Sequence, residues 1–317
     1  MSNRPTRREF IQVTVSGATG FAALEALAPA GLRPDRNMNR GNAAAETGKE
    51  DKARRLEIPI RYIPWTASYE DEFPEEKFSP IERRVGFDPR LCALILVDVW
   101  GWHFITTLRE RWDRITREQI KPVADACRKA GFLVVHTPSP DVANKHPKNR
   151  FWPPSQWKTQ PLYTPPGEYS GWPTKEMKGR TGRFAEYSQW DHPNRRVISS
   201  EQLYRKYDIH PAVGPEPGDF VVGTREELHG LLTERKRFHL FYVGYVSNGC
   251  ILERDYGTRQ MSYLGYQIIL LCDCTTALET SATFARFEQT KSSIDNLEMW
   301  FSTSTSNAVL EGLGKIG

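Results

Sequence analysis

HLFYVGYVSNGCILERDYG, residues His239 to Gly257, runs from an apolar strand through a turn of small residues into the start of a helix, with Cys250 at the junction. A strand ending in such a turn lifts the first helical residue out of a sheet. The unpaired N–H groups of a helix start lower the free energy of a thiolate and can hold an oxyanion. Cys250 is therefore a candidate nucleophile. The alternative is a buried structural cysteine, because free Cys packs as a small hydrophobe.

The flanking sequence supplies the rest of an α/β plan. Cys92 to Asp98, CALILVD, is a short continuous apolar run that reads as a strand buried on both faces of a parallel sheet. Residues 116–130 carry a helical period through Ile120, Val123, Ala124 and Cys127, closed by Gly131, and Phe132 to His136 reads as the next strand. Phe220 to Val222, His239 to Gly244 and Tyr266 to Leu271 read as further strands, with a helix over Glu226 to Arg235. Repeated strand–helix alternation predicts a parallel sheet covered on both faces. Between Pro138 and about Arg196 the chain is rich in Pro, Trp, Lys and Arg without a period; connections that long serve as lids or oligomer contacts.

Composition narrows the function. The chain has 317 residues and a net charge of +4, small for its size, which offers no electrostatic case for nucleic acid. Its five cysteines, Cys92, Cys127, Cys250, Cys272 and Cys274, have neither the paired spacing of a zinc site nor the density of a disulfide scaffold. Cys92 and Cys127 stand in apolar strand and helix contexts and read as packing residues. Cys272 and Cys274 flank Asp273 in a strand, which puts both thiols on one face.

The N-terminal residues read as an address. Arg7 and Arg8, between Thr6 and Phe10, precede a mildly apolar Gly- and Ala-rich run that ends in Ala28-Pro29-Ala30. This is the pattern of a twin-arginine signal peptide cleaved after Ala30, and it implies a periplasmic or secreted protein. Glu25 interrupts the run, and an ordinary amphipathic helix is the alternative. The run is too short and too weakly apolar to span a membrane, so the mature chain is expected to have no membrane span. Residues 31–75 read as linker and irregular lead-in, with at most one short strand after Arg61, and residues 76–317 as the folded domain with its insertion at 138–196.

Three pieces in this order, ALILVDVW (Ala93 to Trp100), VGYVSNGC (Val243 to Cys250) and GYQIILLCDCTTA (Gly265 to Ala277), resemble the isochorismatase-like cysteine hydrolases. That group includes nicotinamidases and N-carbamoyl amidohydrolases, and the likeness extends from about Leu91 to the C-terminus. It implies a three-layer α/β/α sandwich around a central, mostly parallel six-stranded sheet, and an aspartate–lysine–cysteine triad. Asp98 matches the general base and Cys250 the nucleophile. The cis peptide of the group falls between Tyr245 and Val246, and the Gly249 and Cys250 N–H groups then form the oxyanion hole. The group is often homo-oligomeric, its substrates are small molecules, and no cofactor is expected. The chemistry is coherent without the family: a carboxylate beside a thiol takes its proton, the thiolate attacks a carbonyl, and water completes the cycle. The plainer reading of Asp98 is a cap at a strand end.

Two departures mark a divergent subgroup. Where the group has its lysine, after a short strand, this chain has Val221-Val222-Gly223-Thr224-Arg225, and Thr224 occupies the aligned position. A threonine cannot supply the charge. Arg225 can if the strand end shifts by one residue, although a guanidinium does not shuttle protons. The segment from Cys250 to Gly265 is also longer than usual by about one helical turn. Within it Arg254, four residues on from Cys250, lies on the same helix face and offers another cation; a surface pair with Glu253 or Asp255 is the alternative.

Other residues are weighed against plainer roles. Trp100, Trp102 and His103 follow Asp98 and line an aromatic substrate pocket, or anchor the next helix. His103, His136, Asp141 and His146 stand where nicotinamidases carry a metal but lack a compact ligand spacing, so no metal is assigned. The leading expectation is a cysteine hydrolase of a small amide, carbamoyl or related C–N bond. The rival is a catalytically silent binding or assembly protein of the same fold, favoured by Thr224 in place of lysine.

Overall fold

The computed structural model describes residues 55–64, 74–152, 173–187, 202 and 205–316. The export segment 1–30, much of the lead-in and parts of the 138–196 insertion lie outside the described residues. The strands are β1 Leu56–Tyr62, β2 Ile81–Phe87, β3 Cys92–Val97, β4 Leu133–Thr137, β5 Phe220–Val221, β6 His239–Tyr245, β7 Gln267–Thr276 and β8 Ser302–Ser304. They form one eight-stranded sheet in the order β2-β1-β8-β7-β6-β3-β4-β5. From β8 to β5 every neighbouring pair is parallel, which is the six-stranded core that the resemblance implies. β1 and β2 extend it as an antiparallel hairpin on the β8 edge.

That hairpin corrects the lead-in. β1 begins at Leu56, inside the stretch read as linker, and β2 pairs with it along its whole length. The alternation Leu56, Ile58, Ile60 is buried, but it is only five residues long and follows a charged run, so its period is faint in sequence.

Helices cover both faces: α1 Thr106–Ile115, α2 Lys121–Ala130, α3 Arg225–Glu234, α4 Cys250–Glu253, α5 Thr258–Tyr263, α6 Glu288–Glu298 and α7 Ser306–Gly314. Alternate residues of β3 separate the two cores. Cys92, Leu94 and Leu96 join Trp112, Val123, Cys127 and Val309 on one face. Ala93, Ile95 and Val97 join Leu228, Ile251, Met261 and Leu297 on the other. The result is a three-layer α/β/α sandwich. The helix expected over 116–130 begins ten residues earlier, because α1 runs into α2 through a π-helical turn, Thr116–Ile120. Pro122 follows that turn; it lacks an N–H, and its ring crowds the preceding carbonyls, which a widened turn relieves. Gly131 ends α2 with φ 86°, as expected.

In β7 the pairing with β6 slips between Leu270 and Thr275. Strict alternation fails there. Cys274 enters the core with Ile269 and Leu271, whereas Cys272 belongs to neither core, so the two thiols do not share a face. All five cysteines are free.

The carboxyl ends of β3 and β6 meet at one point. Val97 pairs with Gly244, whose φ is 116°, and a Cβ on Gly244 would lie 2.0 Å from the Val97 carbonyl oxygen. Only glycine combines that backbone with that approach. Gly244→Ala is expected to lower stability by at least about 2 kcal/mol, read as a lower urea midpoint with an unchanged slope.

Candidate active site

Asp98 follows β3 directly and has φ 47°, a left-handed conformation that Asp tolerates better than most residues. Its N–H donates to the Thr137 carbonyl at 3.2 Å, and its carbonyl accepts from the Trp100 N–H at 2.8 Å. The turn therefore aims the side chain into the protein, where Asp98 is 1% exposed. Its Oδ2 accepts from Arg254 Nε at 2.8 Å, and its Oδ1 is buried without a hydrogen-bond partner among the described residues. Burial pushes the carboxyl pKa up; the charge and hydrogen bond of Arg254, the Cys250 thiol and the Ser139 N–H oppose that rise.

Cys250 is the first residue of α4 and is half-buried. The peptide bond between Tyr245 and Val246 is cis, at the position the sequence resemblance implies. The turn is tied to the Val246 carbonyl, which accepts from the Gly249 N–H at 3.0 Å and the Ile251 N–H at 3.1 Å. Gly249 is thus committed to the turn and does not offer its N–H to an oxyanion. The Val246 N–H faces the Cys250 sulfur instead and favours its thiolate.

The expected thiol activation is not present in the resting site. Burial, then the Asp98 charge, push the Cys250 pKa up to about 12, against the weaker pull of Arg254. A helix of four residues has too small a dipole to reverse this. Cys250 is a thiol with a buried carboxylate beside it.

The cation of the site is Arg254. It ends α4, its N–H on the Cys250 carbonyl at 3.2 Å, and its side chain crosses to Asp98. The surface-pair alternative fails: Glu253 pairs with Arg259, and Asp255 accepts from the Arg225 N–H. Neither Thr224 nor Arg225 takes the lysine's place. Thr224 caps α3, its hydroxyl accepting from the Glu227 N–H at 3.2 Å. The Arg225 guanidinium is held by Glu226 at 2.9 Å and Gln260 at 3.4 Å.

The aromatic residues after Asp98 form a cluster. Trp100 lies 4.6 Å from Tyr207 and 6.1 Å from Trp112, and Trp102 lies 5.5 Å from Tyr207, centroid to centroid. Trp112 in turn stacks on Tyr245, 4.7 Å away, at the turn that leads to Cys250. His103 Nδ1 accepts from the Ile105 N–H at 3.1 Å, and the ring packs on Trp112, so it anchors α1. Burial pushes its pKa down to about 4, which leaves it neutral. His136 faces Asp219 at 3.2 Å and His146 faces Asp208 at 2.7 Å. Among the described residues no group of three or more His, Cys, Asp or Glu is arranged to hold a metal. Nor is any helix there long and apolar enough to cross a membrane.

No protein-family profile and no curated protein matches this sequence. Solved structures similar to it include a cysteine hydrolase from Pseudomonas syringae pv. phaseolicola, at 14% identity and TM-score 0.43 over 81% of this chain and 98% of that one. An isochorismatase family protein from Desulfovibrio vulgaris is similar at 13% identity and TM-score 0.40, over 71% and 99% of the two chains. N-carbamoylsarcosine amidase from Thermoplasma acidophilum is similar at 14% identity and TM-score 0.39, over 68% and 96%.

The electrostatics have a measurable sign. Alkylation of Cys250 by iodoacetamide is expected to be slow at neutral pH and to rise about tenfold per pH unit toward the thiol pKa. Asp98→Asn removes the negative charge that holds the thiol up. Its alkylation profile is therefore expected to move to lower pH, followed by mass spectrometry of the Cys250 peptide. A profile that stays in place would show that Asp98 does not act on the sulfur.

Proposed function

We propose that this chain is a cysteine hydrolase of a small amide, carbamoyl or related C–N bond, with Cys250 as nucleophile, Asp98 as base and Arg254 as cation. The observation that carries the reading is one contact: Arg254 Nε on Asp98 Oδ2 at 2.8 Å, made by a carboxylate buried beside the Cys250 thiol. A buried carboxylate stays useful as a base only if a cation keeps part of its population charged.

The steps follow from these groups. As a carbonyl carbon approaches Cys250, the thiol proton passes to Asp98 and the S–C bond forms, while the carbonyl electron pair moves onto oxygen. That oxyanion is assigned to the Cys250 N–H at the helix start. The adduct collapses, the C–N bond breaks, and the nitrogen leaves with the proton from Asp98. Water then attacks the thioester, Asp98 takes its proton, the C–S bond breaks, and the sulfur is protonated again. Arg254 keeps its proton throughout; it supplies charge and orientation, whereas a lysine can also exchange a proton.

The silent binding-protein reading is favoured by a different observation, the raised thiol pKa of about 12. The two separate on a panel of primary amides and N-carbamoyl compounds assayed for released ammonia. Turnover is expected in the full chain, at background in Cys250→Ala, and lowered about 10²-fold in Arg254→Met, with Arg254→Lys less impaired. Equal turnover by Cys250→Ala would sink the hydrolase reading. The twin-arginine segment would deliver the folded enzyme to the periplasm, where cell fractionation tests it, and a homo-oligomer is testable by light scattering.

A further inference from the structure

Tyr256 is 1% exposed, packs in the same core as Val97 and Cys250, and its hydroxyl has no hydrogen-bond partner among the described residues. Buried tyrosine hydroxyls ordinarily find one. The backbone that carries this ring is held on both sides. Tyr242 Oη donates to the Tyr256 carbonyl at 2.8 Å, and the Gly257 N–H closes the turn on the Arg254 carbonyl at 2.8 Å. A Cβ on Gly257 would stand 2.9 Å from the carbonyl oxygens of Arg254, Ile251 and Leu252, so the turn requires glycine. Tyr256 is thereby fixed two residues beyond the arginine that grips Asp98. Burial, and then the Asp98 charge, keep its phenol protonated, with Cys250 and Arg254 also in electrostatic range.

Asp98 offers the complementary half. Its Oδ2 is taken by Arg254, while its Oδ1 is a buried acceptor that makes no hydrogen bond of normal geometry among the described residues, with the Ser139 N–H and the Cys250 thiol acting on the carboxylate from nearby. In the resting site the Cys250 thiol acts on this carboxylate. Once the sulfur is acylated it has no proton to offer. The phenol is a buried donor and Oδ1 a buried acceptor, each without a partner among the described residues and each in electrostatic range of the other; a molecule that accepts from one and donates to the other, as water does, would satisfy both.

We infer that Tyr256 holds the hydrolytic water of the second half-reaction: its hydroxyl donates to the water oxygen while that water donates to Asp98 Oδ1. This rests on the cysteine-hydrolase reading. The water oxygen bonds to the thioester carbon, its proton passes to Asp98, the C–S bond breaks, and the sulfur recovers a proton from Asp98 as the acid leaves. Tyr256 keeps its own proton. It serves deacylation and not the first attack.

4-Nitrophenyl acetate tests this, because it acetylates an active cysteine with release of a coloured phenolate. Wild type and Tyr256→Phe are expected to show the same burst rate and amplitude. The subsequent steady rate should be at least about tenfold slower in the variant, with the acetyl adduct on Cys250 persisting in intact-mass spectra. Hydroxylamine, which attacks thioesters without help from the base, should bring the variant back to the wild-type rate. A steady rate equal to wild type, or burst and steady rate falling together without rescue, overturns the inference. If wild type gives no burst and no Cys250 adduct, the hydrolase reading itself has failed, and this inference falls with it.

Discussion

The close passage of β6 across the end of β3, where Gly244 lies against the Val97 carbonyl, is the constraint on which the rest of the site depends. It brings two chain ends together at the same edge of the sheet. One carries Asp98 in a left-handed turn; the other leads through the Tyr245–Val246 turn to Cys250. Any side chain at Gly244 would part the strands, and with them the carboxylate from the thiol. The carboxyl edge of a parallel sheet is where open α/β folds gather their ligands, since the loops there are free to carry chemistry.

Given that juxtaposition, the charge balance becomes the central issue. A carboxylate as buried as Asp98 is costly unless paired. The pairing cation comes from the end of the four-residue helix that Cys250 begins, so the thiol and the cation share one short segment. Thr224 is then free to serve as a helix cap, and Arg225 to pair with its neighbours. The outcome is a buried carboxylate paired with one cation, beside a thiol whose pKa burial pushes up to about 12.

Much of this was legible in the sequence. The apolar run Cys92 to Val97 and the strand His239 to Gly244 could be read because strands buried on both faces are continuously apolar. Asp98 and Cys250 stood out as polar residues at the ends of such runs. β1 was missed because its alternation is brief and follows charged residues, and the two-face placement of Cys272 and Cys274 was missed because a slip in β7 breaks the period. The oxyanion role of Gly249 was implied by the family resemblance, whereas its N–H donates to the Val246 carbonyl.

The sequence by itself determined the layered α/β plan and the places of Asp98 and Cys250 in it, because periodicity and motif spacing are local properties of the chain. Only the tertiary structure decided which cation reaches Asp98, and that Cys250 rests as a thiol. Both depend on distance through space and on removal from water. Arg254 and Asp98 are 156 positions apart along the chain, and their contact at 2.8 Å exists only because the sheet folds their two turns together.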